Sequence, residues 1–162
     1  MLGFWRASEE VAFSRYSMKR KCILLTGATG FLGSHILKSF LFESDSKVFL
    51  LVRSNSKQHA EKRLLFLLEN MLGVRFRNFY SRRIECISGD QTKEDLGVSI
   101  IGYRRLIKSV SEIYHCAAAT DFRMSLAAAR DTNVNGLRNV LQLADNCGLL
   151  SKFNYISIKY DI

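Results

Sequence analysis

Three glycines in the run Thr26-Gly27-Ala28-Thr29-Gly30-Phe31-Leu32-Gly33 limit what this chain can fold into more than any other feature. Only glycine lets a backbone turn tightly and come within hydrogen-bonding distance of a pyrophosphate. An apolar run, Cys22 to Leu25, leads into the glycines, and apolar residues at helical spacing follow from Phe31. A strand therefore runs into a glycine turn that opens a helix, and the helix aims free N–H groups and a partial positive charge at the turn. A glycine triad alone does not identify a phosphate site. Its position between a strand and a helix is the context that does.

From Lys21 onward, short β-rich runs alternate with longer stretches of helical period, the pattern of βαβ units on a parallel sheet. The expected fold is α/β, a Rossmann-type doubly wound parallel sheet of about five strands, incomplete at its C-terminus. The expected strands are Cys22 to Thr26, Lys47 to Val52, Arg83 to Ser88, Glu112 to Cys116 and Phe153 to Ser157. They are apolar almost throughout, as strands are when helices cover both faces. Phe31, Leu32, Ile36, Leu37, Phe40 and Leu41 mark the first crossover helix, ending near Glu43-Ser44-Asp45. A second runs from about Ser56 to Leu72, with Ala60, Leu64, Leu67, Leu68 and Met71 on one face and Gly73 as its C-cap. Helices from Ser99 to Val110 and from about Met124 to Asn146 complete the alternation, with a basic loop or helical tail at Val74 to Arg82. Residues 1–20 read as a lead-in and residues 21–162 as one domain, since no proline, repeat or low-complexity segment divides them.

Size and composition agree with that reading. A chain of 162 residues buries about two-thirds of its unfolded surface around one core, and 48% apolar with 24% charged residues is ordinary for a globular protein. The longest apolar runs are far too short to span a bilayer. Met1 to Lys21 carries Glu9 and Glu10 among its basic residues and lacks the apolar stretch of a secretory signal, with a mitochondrial presequence as the minor alternative. Cys22, Cys86, Cys116 and Cys147 form no Cys-x-x-Cys pair and have no clustered histidines, so neither a metal site nor a disulfide framework is expected. A reducing, cytoplasmic compartment is the expectation. The net charge of +9, and the basic-aromatic stretch from Arg75 to Arg83, raise a nucleic-acid reading. No sequence-reading helix or RNA-stacking motif accompanies it, so the basic loop reads as a solvated face or as a docking surface for an acidic partner.

Each expected strand ends in residues suited to a dinucleotide, as binding at the carboxyl ends of strands requires. After the second strand, where an acid would select the ribose hydroxyls of NAD, this chain has Arg53. A guanidinium there makes a forked, charge-assisted bond to a 2′-phosphate, about 1.5 to 3 kcal/mol or on the order of ten- to a hundredfold in favour of NADP(H). The alternative is an arginine that only ends a strand in solvent. After the third strand, Asp90 either accepts the amino group of adenine or serves as a turn or N-cap. After the fourth, His115-Cys116-Ala117-Ala118-Ala119 supplies small side chains where a backbone must pass close to a cofactor, or where a helix packs on a sheet.

These stretches, together with Leu51-Val52-Arg53, Ala60, Arg63-Leu64, Gly89-Asp90, Leu96-Gly97, Asp121-Phe122, Asn133-Val134-Asn135-Gly136 and Tyr155-Ile156-Ser157, resemble the extended short-chain dehydrogenase/reductases. The resemblance is closest to the thioester reductases and fatty acyl-CoA reductases, the male-sterility-type NAD(P)-binding family, and runs from about Lys21 to Ser157. It implies NADP(H) as cofactor, held by Gly27, Thr29, Gly30, Phe31, Leu32, Gly33, Arg53, Arg63, Asp90, Ala117 and Ala118. Arg63, which alone would read as a solvated helix charge, is implied to grip the 2′-phosphate beside Arg53. It also implies hydride transfer to an acyl thioester carried by coenzyme A or an acidic carrier protein. Members of the family use a Ser or Thr after the fifth strand and a Tyr-x-x-x-Lys pair beyond it. Here Ser157 is the candidate hydroxyl, with a plain strand-end role as its alternative, and Tyr160 has no Lys four residues on. The expectation is a cofactor-binding half without its proton-donating pair. A non-catalytic NADP(H)-binding or carrier-docking module, and an extended reductase or epimerase acting on sugar nucleotides or sterols, are the alternatives.

Overall fold

A computed structural model describes residues 20–54, 56–73 and 82–157. Most of the lead-in, the basic loop over 74–81 and Tyr160 lie outside these residues. The described chain runs β1 (Cys22–Thr26), α1 (Phe31–Glu43), β2 (Lys47–Arg53), α2 (Lys57–Leu72), β3 (Ile84–Gly89), a 3-10 turn (Glu94–Gly97), α3 (Ile100–Ser109) and β4 (Glu112–His115). Then come α4 (Leu126–Arg130), a π turn (Asp131–Asn135), α5 (Gly136–Asn146) and β5 (Lys152–Tyr155).

The strands form one parallel sheet in the order β3-β2-β1-β4-β5, with Leu25 facing Leu50 on one side and Tyr114 on the other. Because side chains alternate along a strand, adjacent residues feed two separate cores. Leu25, Val48, Leu50 and Val52 pack with Leu37 and Leu41 of α1 and with Ala60, Leu64, Leu68 and Leu72 of α2. Leu24, Phe49, Leu51, Ile87 and Ile113 pack on the other face with Leu106 of α3 and Val140, Leu143 and Ala144 of α5. Both faces are therefore covered, which is why the strands read as continuous apolar runs. Removing a methylene-rich anchor such as Leu37, fully buried in α1, by substitution with alanine costs about 2 to 5 kcal/mol.

Local chemistry sets the helix limits. Ser56, Ser99 and Ser125 each accept a backbone N–H in the first turn of α2, α3 and α4. Gly73 ends α2 at φ +72°, a conformation that costs an L side chain strain.

Four details differ from the sequence-based expectation. Phe31 and Leu32, grouped with the buried face of the first helix, are exposed, Phe31 by 83%, in the opening turn of α1 past the carboxyl end of the central strand β1. The expected helix from Met124 begins at Leu126 and is interrupted by the π turn, whose wider backbone re-aims Thr132 and Asn133. The fifth strand stops at Tyr155, so Ser157 lies beyond it. Arg83 precedes β3 rather than opening it, and its guanidinium donates to the Leu41 and Ser44 carbonyls at the end of α1.

Candidate functional site

The sheet order reverses between β1 and β4: β2 and β3 build outward on one side and β5 on the other. Loops leaving β1 and β4 diverge at such a point and open a crevice at the carboxyl ends of the strands. A cleft lies there, lined by Thr26, Gly27, Thr29, Gly30, Leu51, Arg53, Arg63, Gly89, Asp90, Gln91, Thr92, Cys116, Ala117, Ala118 and Thr132.

The glycine turn forms the floor. Gly27 has φ +71°, and a Cβ there would stand 2.6 Å from the Ala117 nitrogen, so the turns after β1 and β4 touch backbone to backbone. A Cβ on Gly33 would stand 2.2 Å from the Gly27 carbonyl oxygen, which fixes the close approach of α1 to the turn. Gly33 therefore shapes the cleft without lining it, and neither Phe31 nor Leu32 lines it. Gly30 is the N-cap of α1 in extended conformation, with no side-chain cap and no acidic residue in the first turn. The opening N–H groups of α1 are thus left for a ligand, and the helix dipole favours an anion there.

Two arginines border the same space. Arg63, carried on α2, donates from Nη1 to the Arg53 carbonyl oxygen at 2.6 Å and from Nη2 to Thr29 Oγ1 at 3.3 Å. These bonds hold its guanidinium between the glycine turn and the end of β2. Neither Arg53 nor Arg63 makes an ion pair among the described residues. An uncapped helix start with two uncompensated guanidiniums fits a dinucleotide that carries both a diphosphate and a 2′-phosphate.

The remaining walls are fixed by side chains buried beneath them. Thr26 Oγ1 accepts the Ala117 N–H at 3.2 Å and lies 2.7 Å from His115 Nδ1. Burial lowers the pKa of His115 to about 4, which keeps the ring neutral, and the ring stacks on Tyr155 with centroids 5.8 Å apart. Burial likewise raises the Cys116 thiol to about 11, so it is an apolar wall and not a thiolate. Asp90 Oδ1 accepts the backbone N–H and the hydroxyl of Thr92, at 3.0 and 2.9 Å, so it caps a turn as the second of its expected roles had it, and the residue also lines the cleft.

Three side chains of this framework were not legible as site residues. Gln91, 7% exposed, donates from Nε2 to the Ala117 and Thr132 carbonyls at 3.3 and 3.2 Å. Asn139 holds the Gln91 carbonyl from below at 2.8 Å. Asn133 accepts the Ala119 N–H at 2.7 Å and returns a bond to the Ala119 carbonyl at 3.0 Å, mimicking a strand partner for the loop after β4. The run Asn133-Val134-Asn135-Gly136 was the available signal for the last. Ser157 is exposed and outside the cleft lining. Among the described residues no group of three His, Cys, Asp or Glu side chains could hold a metal ion, and no helix is long and apolar enough to cross a membrane.

Comparison with known proteins places this geometry in a family. Residues 25–160 match the NAD-binding family described as male sterility protein. Human fatty acyl-CoA reductase 2 is 32% identical over 145 residues, covering 86% of this chain and 28% of that protein. A glycine betaine reductase of Emericella nidulans is 30% identical over 131 residues, 79% of this chain and 10% of that protein. Among solved structures, the terminal R domain of the myxalamid PKS-NRPS pathway superposes with a TM-score of 0.74 at 32% identity, covering 87% of this chain and 36% of that one. The reductase domain of a nonribosomal peptide synthetase from Mycobacterium tuberculosis gives 0.72 at 30% identity, covering 86% and 33%. The chain thus spans 28% of the human fatty acyl-CoA reductase, 10% of the glycine betaine reductase and 33 to 36% of the two solved reductase domains. With a five-stranded Rossmann-type sheet and a cleft at its switch point, it belongs to the male sterility family of NAD(P)-binding reductase domains.

Proposed function

We propose that this chain is the NADP(H)-holding part of a reductase that delivers hydride to an acyl thioester on coenzyme A or on an acidic carrier protein. The observation that carries the cofactor half is the Arg63 guanidinium, held by the Arg53 carbonyl and Thr29 beside the uncapped start of α1. The α1 N–H groups receive the diphosphate, Arg53 and Arg63 the 2′-phosphate, and Asp90 the adenine end. Ala117 and Ala118 let the backbone pass close to the nicotinamide half, and the Thr26–His115 pair holds that turn in place. The dihydronicotinamide supplies the hydride when bound. Ser157, exposed at the carboxyl end of the sheet, is the hydroxyl proposed to polarise the thioester carbonyl.

The thioester half is supported by the relatives, which include fatty acyl-CoA reductases and a thiolation-reductase di-domain of an archaeal nonribosomal peptide synthetase. A carrier-docking role for the basic stretch from Arg75 to Arg83 loses one of its charges, since Arg83 is spent on the end of α1. Titration of the chain with NADPH and with NADH, read by dihydronicotinamide fluorescence, tests the cofactor half. NADPH should bind about ten- to a hundredfold more tightly. Equal affinities, a preference for NADH, or no binding would overturn it.

A further inference from the structure

The exposed face of α3 carries only two kinds of side chain. Ile100 and Ile101 stand in its first turn, 72% and 82% exposed, and Arg104, Arg105 and Lys108 follow on the same side. At the helical repeat these five fall within about 140° of the circumference, with Arg104 between the two isoleucines and Lys108 one turn below it. Leu106, on the opposite side, is the residue that α3 buries. No acid lies on α3, and Glu94 and Asp95 belong to the turn before it.

The fold accounts for part of this face. Arg105 is bonded through both terminal nitrogens to Glu85 of β3, which also pairs with Lys47. Lys108, in the last turn, lies at the negative end of the helix. Arg104 has neither role, and neither it nor Lys108 makes an ion pair among the described residues. Ile100 and Ile101 bury little of their surface, and a β-branched side chain favours a helix less than alanine or leucine would. An apolar pair flanked by unpaired cations is suited to an anionic lipid surface, where apolar tips enter the acyl region and cations meet headgroup phosphates. A second copy of this face would set cations against cations. A folded acidic partner would need a slot for two projecting isoleucines, whereas a lipid interface moulds to them.

Because α3 follows the loop that leaves β3, its first turn lies at the carboxyl end of the sheet, where the cleft opens. We infer that α3 is a membrane-contacting element, which seats the domain on an anionic bilayer through Ile100, Ile101, Arg104 and Lys108. Such contact needs no spanning helix.

Cosedimentation with vesicles of phosphatidylcholine, alone and with about 30% phosphatidylserine, tests the inference. The chain should bind the mixed vesicles at least about tenfold more strongly than the neutral ones. Ile100→Ser/Ile101→Ser, which leaves the net charge unchanged, should weaken that binding by about tenfold or more. Arg104→Ser/Lys108→Ser should weaken it about tenfold. Lys38→Ser/Lys62→Ser removes the same charge from exposed positions on α1 and α2, across the sheet, and should change it by less than about threefold. Every substituted side chain is exposed, so all three variants should keep the wild-type far-UV circular dichroism. Full binding by the isoleucine variant, or equal loss from the two charge pairs, would mean that the net charge of +9 acts without this face, and overturns the inference. So does equal binding to neutral vesicles, or capture of an acidic protein through α3 with no binding to the mixed vesicles. The vesicle result does not depend on the NADP(H) reading, which the nucleotide titration tests by itself.

Discussion

Helix α1 is finished in opposite ways at its two ends. At its start, Gly30 supplies no cap, no acid follows in the first turn, and Arg63 stands across the opening with no carboxylate partner among the described residues. At its end, Arg83 donates to the Leu41 and Ser44 carbonyls, Ser44 bonds back to the Phe40 carbonyl at 2.9 Å, and Asp45 lies 3.9 Å from Arg83. An arginine marks each end, but only Arg83 bonds the open carbonyls of the helix itself. The Arg83 side chain is 11% exposed and spends its charge satisfying carbonyls that the helix leaves open. The contrast separates a charge that stabilises the domain from the charges proposed to meet the cofactor.

Substitutions should break that contrast in a graded order. Gly33→Ala has the largest expected effect, because its Cβ would collide with the Gly27 carbonyl, a backbone atom with no room to move. It should cost about 3 kcal/mol in denaturant unfolding and abolish NADPH binding, whereas affinity within threefold of wild type would show that the turn does not shape the site.

Next comes pH. The pKa of His115 is about 6.5 unfolded and is lowered to about 4 in the fold, so the unfolded chain binds more protons between those values. This contribution is complete above pH 6.5 and is lost as pH falls toward 4, about 3 kcal/mol in all. Urea unfolding across that window should show the loss, and His115→Asn should reduce its slope by up to one proton. An unchanged slope would mean that the ring is not held neutral against Thr26 and Tyr155.

The paired arginines have smaller effects on the fold and sharpen the comparison most cleanly. Arg83→Met should destabilise by about 2 kcal/mol and leave the ratio of NADPH to NADH affinity intact. Arg63→Met should do the reverse, with unfolding changed by less than about 1 kcal/mol and the ratio reduced about tenfold. Identical behaviour of the two variants would erase the distinction between the ends of α1.

The parts of this design that were legible in the sequence are local. Strand, glycine turn and helix follow one another within residues 22–43, and Ser56, Ser99 and Gly73 announce helix ends within a few residues. Arg53 was legible because its place at a strand end is defined by short-range pattern. Gln91, by contrast, reaches carbonyls 26 and 41 residues away, and Arg83 closes a helix end 39 and 42 residues back. Neither contact leaves a periodic trace. The π turn was missed for a related reason: Leu126 to Asn146 keeps helical composition while Asn133 turns aside to hold Ala119. Phe31 and Leu32 misled in the other direction, since apolar spacing does not reveal that the first turn of a helix is exposed.

Amide hydrogen exchange with and without saturating NADPH tests the account most directly, because it reads both ends of α1 in one molecule. Binding should slow exchange at Gly27 to Ser34, Gly89 to Thr92 and Ala117 to Ala119, and leave Leu41 to Asp45 and Arg83 unchanged. Protection at the Arg83 end without protection at the glycine turn would contradict it.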